Sequence, residues 1–463
     1  MSPTRRRGER AVSTIVAAVI VVVIIAAAAA SYFFLAPTSQ GIQTTTPPKT
    51  VEIVFGATLS MTGQLQAFGQ EQNWTLSYAV QSINDLGGIP LSDGTRGIVK
   101  LVVLDDKTDP SVAQSNLQTL VSQYHANVIM GELGGVQDSV AQQFASRNQI
   151  PYIGPVYTSV AKSCADCSNA WIFSPFHNET NEAHIFFNWF RTVDPSTPSH
   201  NVTVAFFGEG DPAAQANNLG GEAYARTLGY AVCTCSDLTF TPGSTSEMTS
   251  FISAAKSAGA EAIYGLPIPP DAVLMVNTAH QLNYAPKAWL LTRGTAVAPF
   301  AIPALGGAGN LSVGVMSAFP WQPSVPYVGK LLGKNVSNSE IVGKYEAKWQ
   351  HPPTLEGVYF TEALIAADAI QKAGSVNSVA IRGALLSTTF QTPMGDVSFT
   401  SGGQWIQSGK FMLMMQWQNA VINGQTLQVL QVLEPTSVAT TNYILYPFSW
   451  AKAQPQPWPP VAY

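Results

Sequence analysis

Short apolar runs alternate with amphipathic segments along the chain from residue 51 onward. The apolar runs predict strands, and the amphipathic segments between them predict helices. In the first part the predicted strands are 51–59, 98–104, 128–131 and 151–153, and the predicted helices are 67–86, 110–124 and 137–148. Strands that alternate with crossover helices form a parallel, doubly wound sheet, whose ligand site lies at the carboxyl ends of the strands.

A second series of the same kind follows residue 173. Its predicted helices are 180–191, 212–228, 246–258 and 271–282, and its predicted strands are 202–207, 230–233, 262–265 and 288–291. The remainder predicts helices at 341–350, 354–373 and 376–386 and then strands at 395–399, 411–418 and 427–433. The turn signals Ser-Gly-Gly at 401–403 and Asn-Gly at 423–424 separate these strands into hairpins. The pattern therefore predicts two α/β lobes, and the lack of a short repeat disfavours a solenoid or propeller.

The N-terminus carries a different pattern, in which four arginines between residues 5 and 10 precede an apolar run from about 11 to 36. This run is long enough to cross a bilayer and too long for a conventional signal peptide, so we expect one N-terminal transmembrane helix over residues 1–36. The arginines should stay on the cytoplasmic side, which places the rest of the chain outside the cell. The segment RAVSTIV at 10–16 resembles the processing site of archaeal pilin-like (class III) signals, with cleavage after Gly8 or Ala11; a plain uncleaved anchor is the alternative.

Residues 37–50, PTSQGIQTTTPPKT, have no apolar periodicity and predict an extended linker. Beyond the linker, Asn-x-Ser/Thr sequons suggest a glycoprotein if they are exported and exposed. They lie at Asn73, Asn178, Asn201, Asn310 and Asn335.

The composition indicates no particular chemistry, but it argues against one class of partner. Of the 463 residues 46% are hydrophobic and 11% charged, and the net charge is −5 with no basic block beyond residue 10. Nucleic acid is therefore not an expected partner. So few charges would suit an acidic exterior.

Four cysteines form two close pairs, Cys164 with Cys167 and Cys233 with Cys235. A four-thiolate zinc site is one interpretation, but an oxidising exterior favours disulfides, with three connectivities open. We expect disulfides and no metal.

At this point the sequence resembles the leucine/isoleucine/valine-binding family, the type I periplasmic binding proteins of ABC importers, from residue 51 to about 435. The resemblance rests on six fragments in order: IVFGATLSMTGQLQAFGQEQNWTLSYAVQSINDLGGIP, LVVLDDKTDP, VIMGELGGVQDSVAQQFASRNQIPYIGPVYTS, VTVAFFGEGDP, TLEGVYFTEALIAADAIQKAG and TPMGDVSFT. It implies two doubly wound lobes joined by a three-stranded hinge, with 51–173 and 297–390 in lobe 1 and 174–296 and 391–463 in lobe 2.

Candidate ligand contacts of lobe 1 follow three strands. Ser60 and Thr62 offer hydroxyls between a strand end and a helix start, where a carboxylate could bind, although they could equally only cap the helix. Gly134 and Gly135 replace serines that the family presents to the ligand, leaving backbone N–H groups or room for a bulkier ligand. Val156, Tyr157 and Thr158 match the family stretch that holds the ligand's polar head, and Thr158 is the strongest candidate.

In lobe 2 the chain departs from relatives that bind α-amino acids. Asp211 stands near one tyrosine position of the family, and Ile268 stands at the other. Arg293, in LLTRG, replaces the acid that meets the ligand's ammonium group. A zwitterionic amino acid would lose its counter-charge, so we expect a carboxylate-bearing or neutral polar ligand. The alternative for Arg293 is an exposed loop charge or an interlobe salt bridge.

Catalysis is not expected. The chain has no GxSxG elbow, no GxxxxGK[ST] loop and no HExxH, and its six histidines lack ligand spacing. Asp105 and Asp106 look like an acid/base pair, but we expect them to serve loop structure and helix capping. No cofactor is expected.

The predicted function is that of a monomeric receptor domain that captures a small-molecule ligand for the permease subunits of an ABC transporter. The N-terminal pattern places it at the cell surface, anchored to the cytoplasmic membrane by the N-terminal helix. A pilin-like surface-assembly subunit and a ligand sensor of the same fold are the alternatives.

Overall fold

The computed structural model describes residues 49–133, 136–155, 171–194, 202–237, 239–406, 410–422 and 425–450. The predicted membrane helix and nearly all of the linker lie outside these residues. Within the described ranges, no helix has both the length and the apolar character needed to cross a bilayer.

The first lobe is built on a six-stranded sheet in the order β2-β3-β1-β4-β5-β6, in which β2 alone runs antiparallel to its neighbour. The strands are β1 (Thr50–Leu59), β2 (Ile89–Pro90), β3 (Arg96–Asp105), β4 (Val128–Met130), β5 (Tyr152–Ile153) and β6 (Ile172–Phe173). The crossover helices are α1 (Gln66–Asp85), α2 (Pro110–Ser122) and α3 (Val136–Asn148). Helix α2 shows why the boundaries are sharp, because the Asp109 carboxylate accepts the Ser111 and Val112 N–H groups and Pro110 needs no donor there.

The second lobe repeats this plan with a parallel sheet in the order β11-β10-β7-β8, where β9 also pairs with β7. Its strands are β7 (Thr203–Glu209), β8 (Ala231–Val232), β9 (Thr239–Phe240), β10 (Ala262–Gly265) and β11 (Ala288–Leu291). Its helices are α4 (Glu179–Val193), α5 (Pro212–Thr227), α6 (Thr245–Ser257) and α7 (Pro269–Gln281). The predicted α/β architecture with parallel sheets is confirmed.

The rest of the chain returns to both lobes. Its helices are α8 (Ala298–Ala301), α9 (Asn338–Trp349), α10 (Glu356–Ala373) and α11 (Ser378–Ser387). Its strands are β12 (Met316–Phe319), β13 (Val328–Leu331), β14 (Lys334–Ser337), β15 (Phe390–Thr392), β16 (Gly395–Val397), β17 (Leu413–Ile422) and β18 (Gln425–Glu434). Helix α10 is buried along most of its length and packs on α1 and α11. Strands β12, β17 and β18 form an antiparallel sheet, and the turn expected at 423–424 lies outside the described residues.

The contacts of residues 298–319 differ from the lobe boundary expected at residue 297. Helix α8 packs on α7, β12 packs beside β11, and Val315 forms a parallel bridge with Trp289. All of these partners belong to lobe 2. The contacts favour a return of the chain to lobe 1 after Phe319. Of the elements that follow residue 297, those that pack on α10 begin with β13. The full division into lobes stays a prediction.

Three connecting segments run side by side between the two sheets. The Ser174 N–H donates to Gly403 O at 2.9 Å, and the rings of Phe173 and Phe399 lie 5.3 Å apart. The third segment joins them through Phe319, whose ring lies 5.3 Å from that of Phe176. These contacts match the geometry expected of a three-stranded hinge.

Candidate ligand-binding cleft

The loop after β1 is held by the two acids that follow β3. The Ser60 hydroxyl donates to Asp106 at 2.7 Å, and the Thr62 hydroxyl donates to Asp105 at 2.8 Å. Asp105 also accepts the Met61 and Lys107 N–H groups. The expectation that this acid pair serves loop structure is therefore confirmed. Ser60 and Thr62 lie at the cleft end of the strand, but both hydroxyl protons are already directed to carboxylates of their own lobe.

Helix α1 lies directly against this loop. A Cβ atom added to Gly69 would lie 2.3 Å from the Ser60 carbonyl oxygen, so only glycine permits the approach. The next turn of the helix brings Gln72 to β4, where its amide donates to the Gly131 carbonyl oxygen. The ends of β1 and β4 are thus fixed by one helix.

The end of β4 is acidic. Glu132 is buried, and one of its carboxylate oxygens accepts the Ser60 N–H at 2.9 Å. Burial raises the Glu132 pKa well above its usual range, and the charges of Asp106 and Asp138 raise it further. Sequence reasoning treated Glu132 only as part of a loop, although an acid directly after a buried strand is a signal that it could have used.

Five predicted contacts fall outside the described residues. They are Gly134, Gly135, Val156, Tyr157 and Thr158. Their roles stay predictions.

Arg293 lies at the start of the loop after β11 and is 1% exposed. One guanidinium nitrogen donates to Glu209, at the end of β7, and another donates to Asp211 at 2.9 Å. The alternative of an exposed loop charge is therefore wrong, because Arg293 is buried and pairs with two carboxylates of its own lobe. Its contact with a ligand stays a prediction. The salt bridge foreseen as the alternative exists, but within lobe 2 and not between the lobes.

Asp211 and Ile268 belong to the same arrangement. Asp211 caps α5 by accepting the Ala213 and Ala214 N–H groups, both at 3.0 Å, while its other oxygen pairs with Arg293. The Ile268 N–H donates to Glu209 at 2.6 Å. Gly294 permits this closeness, since a Cβ atom there would lie 2.4 Å from the Pro267 carbonyl oxygen.

The charges of this cluster do not balance. Burial raises the Glu209 pKa to about 8, and the negative charges of Asp211 and Asp271 add to this effect. The positive charge of Arg293 lowers the pKa but does not outweigh them. Burial also raises the Asp271 pKa. Sequence reasoning missed Glu209 and Asp271, which are recognisable only by their places at the end of β7 and in the first turn of α7.

The strand-end loops of the two lobes approach each other. Asp271 accepts the Gly243 N–H at 2.9 Å and so holds the 241–244 turn of lobe 2. A methyl group added to Gly243 would lie 3.7 Å from the Gln64 side-chain nitrogen of lobe 1. The space between the loops is therefore narrow at this point.

Other features do not add to the cleft. Cys233 and Cys235 are joined by a disulfide, whereas Cys164 and Cys167 lie outside the described residues. Among the residues described, no group of three His, Cys, Asp or Glu side chains is placed to hold a metal. A groove of about 480 Å³ between α1, α9 and the β13–β14 hairpin contains none of the predicted site residues.

Solved structures with the same fold are binding proteins. A leucine-binding protein of Thermotoga maritima superimposes with a TM-score of 0.66 and 18% identity, over 83% of this chain and 99% of its own. A branched-chain amino acid transporter substrate-binding protein of Streptococcus pneumoniae, in complex with isoleucine, gives 0.63 and 20%, over 83% and 100%. A solute-binding protein of an ABC transporter from Rhodopseudomonas palustris, in complex with 3,4-dihydroxybenzoic acid, gives 0.61 and 14%, over 82% and 96%.

At these identities the superpositions show a shared fold. The sequence itself matches the periplasmic binding protein family over residues 52–421, which is most of its length and includes both lobes. The chain therefore belongs to the periplasmic binding protein family.

Proposed function

We propose that this protein is an extracellular receptor that captures one small polar solute between its lobes and delivers it to an ABC permease. The observation that carries the proposal is the meeting of strand-end loops from two parallel sheets, at Gln64 and Gly243, beside three connecting segments. Ligands of doubly wound sheets bind at this edge, and hinged lobes can close over them. Nothing in the role requires catalysis.

The ligand class follows from which charges are already paired. Arg293 is neutralised within lobe 2, so we do not assign it to a ligand carboxylate. A carboxylate would instead bind backbone N–H groups at the start of α3, next to Gly134 and Gly135. The two neighbours that contain isoleucine and 3,4-dihydroxybenzoic acid illustrate that this fold accepts carboxylates with and without an amine. We therefore propose a small polar ligand, including carboxylate-bearing ones.

A thermal-shift screen tests the proposal. The full-length chain is melted with amino acids, organic acids, amides and sugars, and a true ligand should raise the midpoint in proportion to ln(1 + [L]/Kd). Calorimetry with that ligand should then show Thr158→Ala weakening the affinity by about 1–2 kcal/mol, the cost of one buried hydrogen bond.

Thr95→Ala is the matched control, because the Thr95 hydroxyl bonds only to Asp93 in an exposed turn. It should bind as the unchanged protein does. Equal affinity in Thr158→Ala would remove Thr158 from the site, and no stabilisation by any class would contradict the receptor role.

A further inference from the structure

Among the described residues of the first lobe, six acidic side chains are buried, and none of them is more than 6% exposed. They project from α1, α3, α10 and the loops after β3 and β4. They are Glu71, Asp106, Glu132, Asp138, Glu356 and Glu362.

These carboxyls receive hydrogen bonds from neutral groups. The Gln72 amide donates to both oxygens of Glu362, at 3.2 and 3.0 Å. Asp138 accepts from the Gln142 amide at 2.7 Å and from the Tyr152 hydroxyl, and Glu356 accepts the Thr354 and Leu355 N–H groups. Among the described residues, no Lys, Arg or His forms an ion pair with any of the six.

Several polar atoms of the cluster are buried without a hydrogen-bond partner. They are one carboxyl oxygen of each of Glu71, Glu132 and Glu356, together with the Tyr359 hydroxyl. A buried carboxylate with one oxygen that no protein group contacts is costly, whereas a protonated carboxyl is neutral and carries its own donor. The geometry therefore favours the acid form.

Burial and neighbouring negative charges raise the pKa values of these carboxyls, and they outweigh the hydrogen bonds from Tyr345, Ser60 and Gln72, which lower them. Burial raises the pKa of Glu71, Glu132 and Glu362 well above the usual range. Neighbouring negative charges raise these pKa values further. Glu356 acts on Glu71, Asp106 and Asp138 act on Glu132, and Asp138 also acts on Glu362. The phenols Tyr152, Tyr345 and Tyr359 and the carboxylate of Asp105 also face the cluster, and none of them supplies positive charge. The His351 ring packs on Tyr345, and burial lowers its pKa, which disfavours a positive charge there.

We propose that the first lobe folds around protonated carboxyls, so that this protein is built for an acidic medium and becomes less stable as the medium approaches neutrality. The proposal does not depend on which solute the protein binds.

The direction follows from proton counting. A group whose pKa is raised on folding binds more protons in the folded state, so its contribution is complete below the unfolded pKa, about 4. That contribution is lost as the pH rises through the folded pKa, which burial raises to about 7 for both Asp138 and Glu356. Asp93 and Asp109 act in the opposite direction, because hydrogen bonds lower their pKa, but they are exposed and matter only below about pH 4. Stability should therefore be greatest on the acid side.

The cluster also supports the cleft. Glu132 and Asp106 hold the backbone and hydroxyl of Ser60, and Gln72 joins Glu362 to Gly131. Ionisation of these acids would therefore place buried negative charge directly beside the ends of β1 and β4.

The test is the thermal midpoint of the full-length chain between pH 3 and pH 8. The midpoint should be highest near pH 4 and lower at pH 8 by on the order of 10 °C. The double variant Glu132→Gln/Glu362→Gln keeps the shapes and one acceptor oxygen of each side chain but removes two titrations, so its midpoint should fall clearly less. Glu52→Gln is the matched control, because Glu52 is exposed beside Lys100, and its profile should follow that of the unchanged protein.

A midpoint that is equal or higher at pH 8 would overturn the proposal, and so would an undiminished fall in a folded double variant. If the double variant does not fold, the unchanged protein still decides the matter. Denaturant unfolding at pH 6 in weak buffer should release protons, because the folded state holds more of them. Proton uptake, or none released, would contradict the proposal.

Discussion

Both lobes bury acidic side chains where their parallel strands end, but the two lobes neutralise them differently. In lobe 2, Glu209 and Asp211 flank the guanidinium of Arg293, and Asp271 lies close enough to affect the Glu209 pKa. In lobe 1, the donors to Glu132 and Glu362 among the described residues are neutral, namely Ser60 and the Gln72 amide. In lobe 2 a cation compensates part of the buried charge, whereas we propose that lobe 1 relies on protons alone.

This difference explains Arg293 without reference to a ligand. A buried carboxyl is tolerated only when its charge is paired or removed. In lobe 2 the charge is partly paired and partly removed by protonation. Three carboxyls lie near one guanidinium, and the Glu209 pKa still rises to about 8. The stability of the protein should therefore change differently with pH when the central donor of lobe 2, Arg293, or that of lobe 1, Gln72, is removed.

The largest effect is expected for Arg293→Ala. Removing the cation leaves Glu209 and Asp211 buried without a counter-charge, which should cost about 3–5 kcal/mol of unfolding free energy at pH 7. At pH 4 the loss should be smaller, because the Glu209 carboxyl, whose pKa burial raises to about 8, is then fully protonated. Urea unfolding at both pH values measures the difference.

Arg293→Lys is the matched control for this change. Lysine keeps the positive charge, and like arginine it is a non-glycine residue at a backbone φ of 54°. Its ammonium group lacks the planar pair of donors with which the guanidinium bonds to both carboxylates. An intermediate loss is expected. If Arg293→Ala unfolds like the unchanged protein, the guanidinium does not stabilise lobe 2 and the contrast between the lobes fails.

The secondary structure was largely predictable, because patterning and caps act locally. The strands 262–265 and 288–291 have the predicted bounds, and α1, α2 and α3 lie within two residues of theirs. The lobe assignment of 298–319 was not predictable, because a buried strand such as β12 has the same apolar sequence whichever sheet it joins.

The site was less predictable than the fold. Arg293 and Glu209 are 84 positions apart and meet only because β7 and β11 both flank β10. A single sequence shows that Arg293 follows a strand, but not which carboxylates surround it. The acidic cluster of lobe 1 did leave a signal, since Glu362 interrupts the apolar stretch VYFTEALIAADAI of a helix that packs on several sides.

A medium effect is expected for Gln72→Leu, which removes the neutral donor that serves lobe 1. The Gly131 carbonyl and both Glu362 oxygens would lose their side-chain partner, at a cost of roughly 1–3 kcal/mol. The loss should be larger at pH 8 than at pH 4, because an ionised Glu362 needs the donor more. Gln81→Leu, on the exposed side of the same helix, should be nearly neutral in urea unfolding. Equal losses for the two variants would show that Gln72 has no special role.

The smallest effect is expected for Asp211→Asn, which separates the two tasks of that side chain. Asparagine can still cap α5 through its oxygen, so only the charge opposite Arg293 is lost. Glu209 keeps the guanidinium paired, and removing Asp211 also removes a charge that raises the Glu209 pKa, so the two changes offset each other.

We expect a loss of about 1 kcal/mol or less at pH 7, with Asp211→Ala costing about 1 kcal/mol more for the missing cap. Urea unfolding of both variants gives the two contributions by difference. An Asp211→Asn loss as large as that of Arg293→Ala would mean that Asp211, and not the shared cluster, balances the cation, and the proposed sharing of charge in lobe 2 would be wrong.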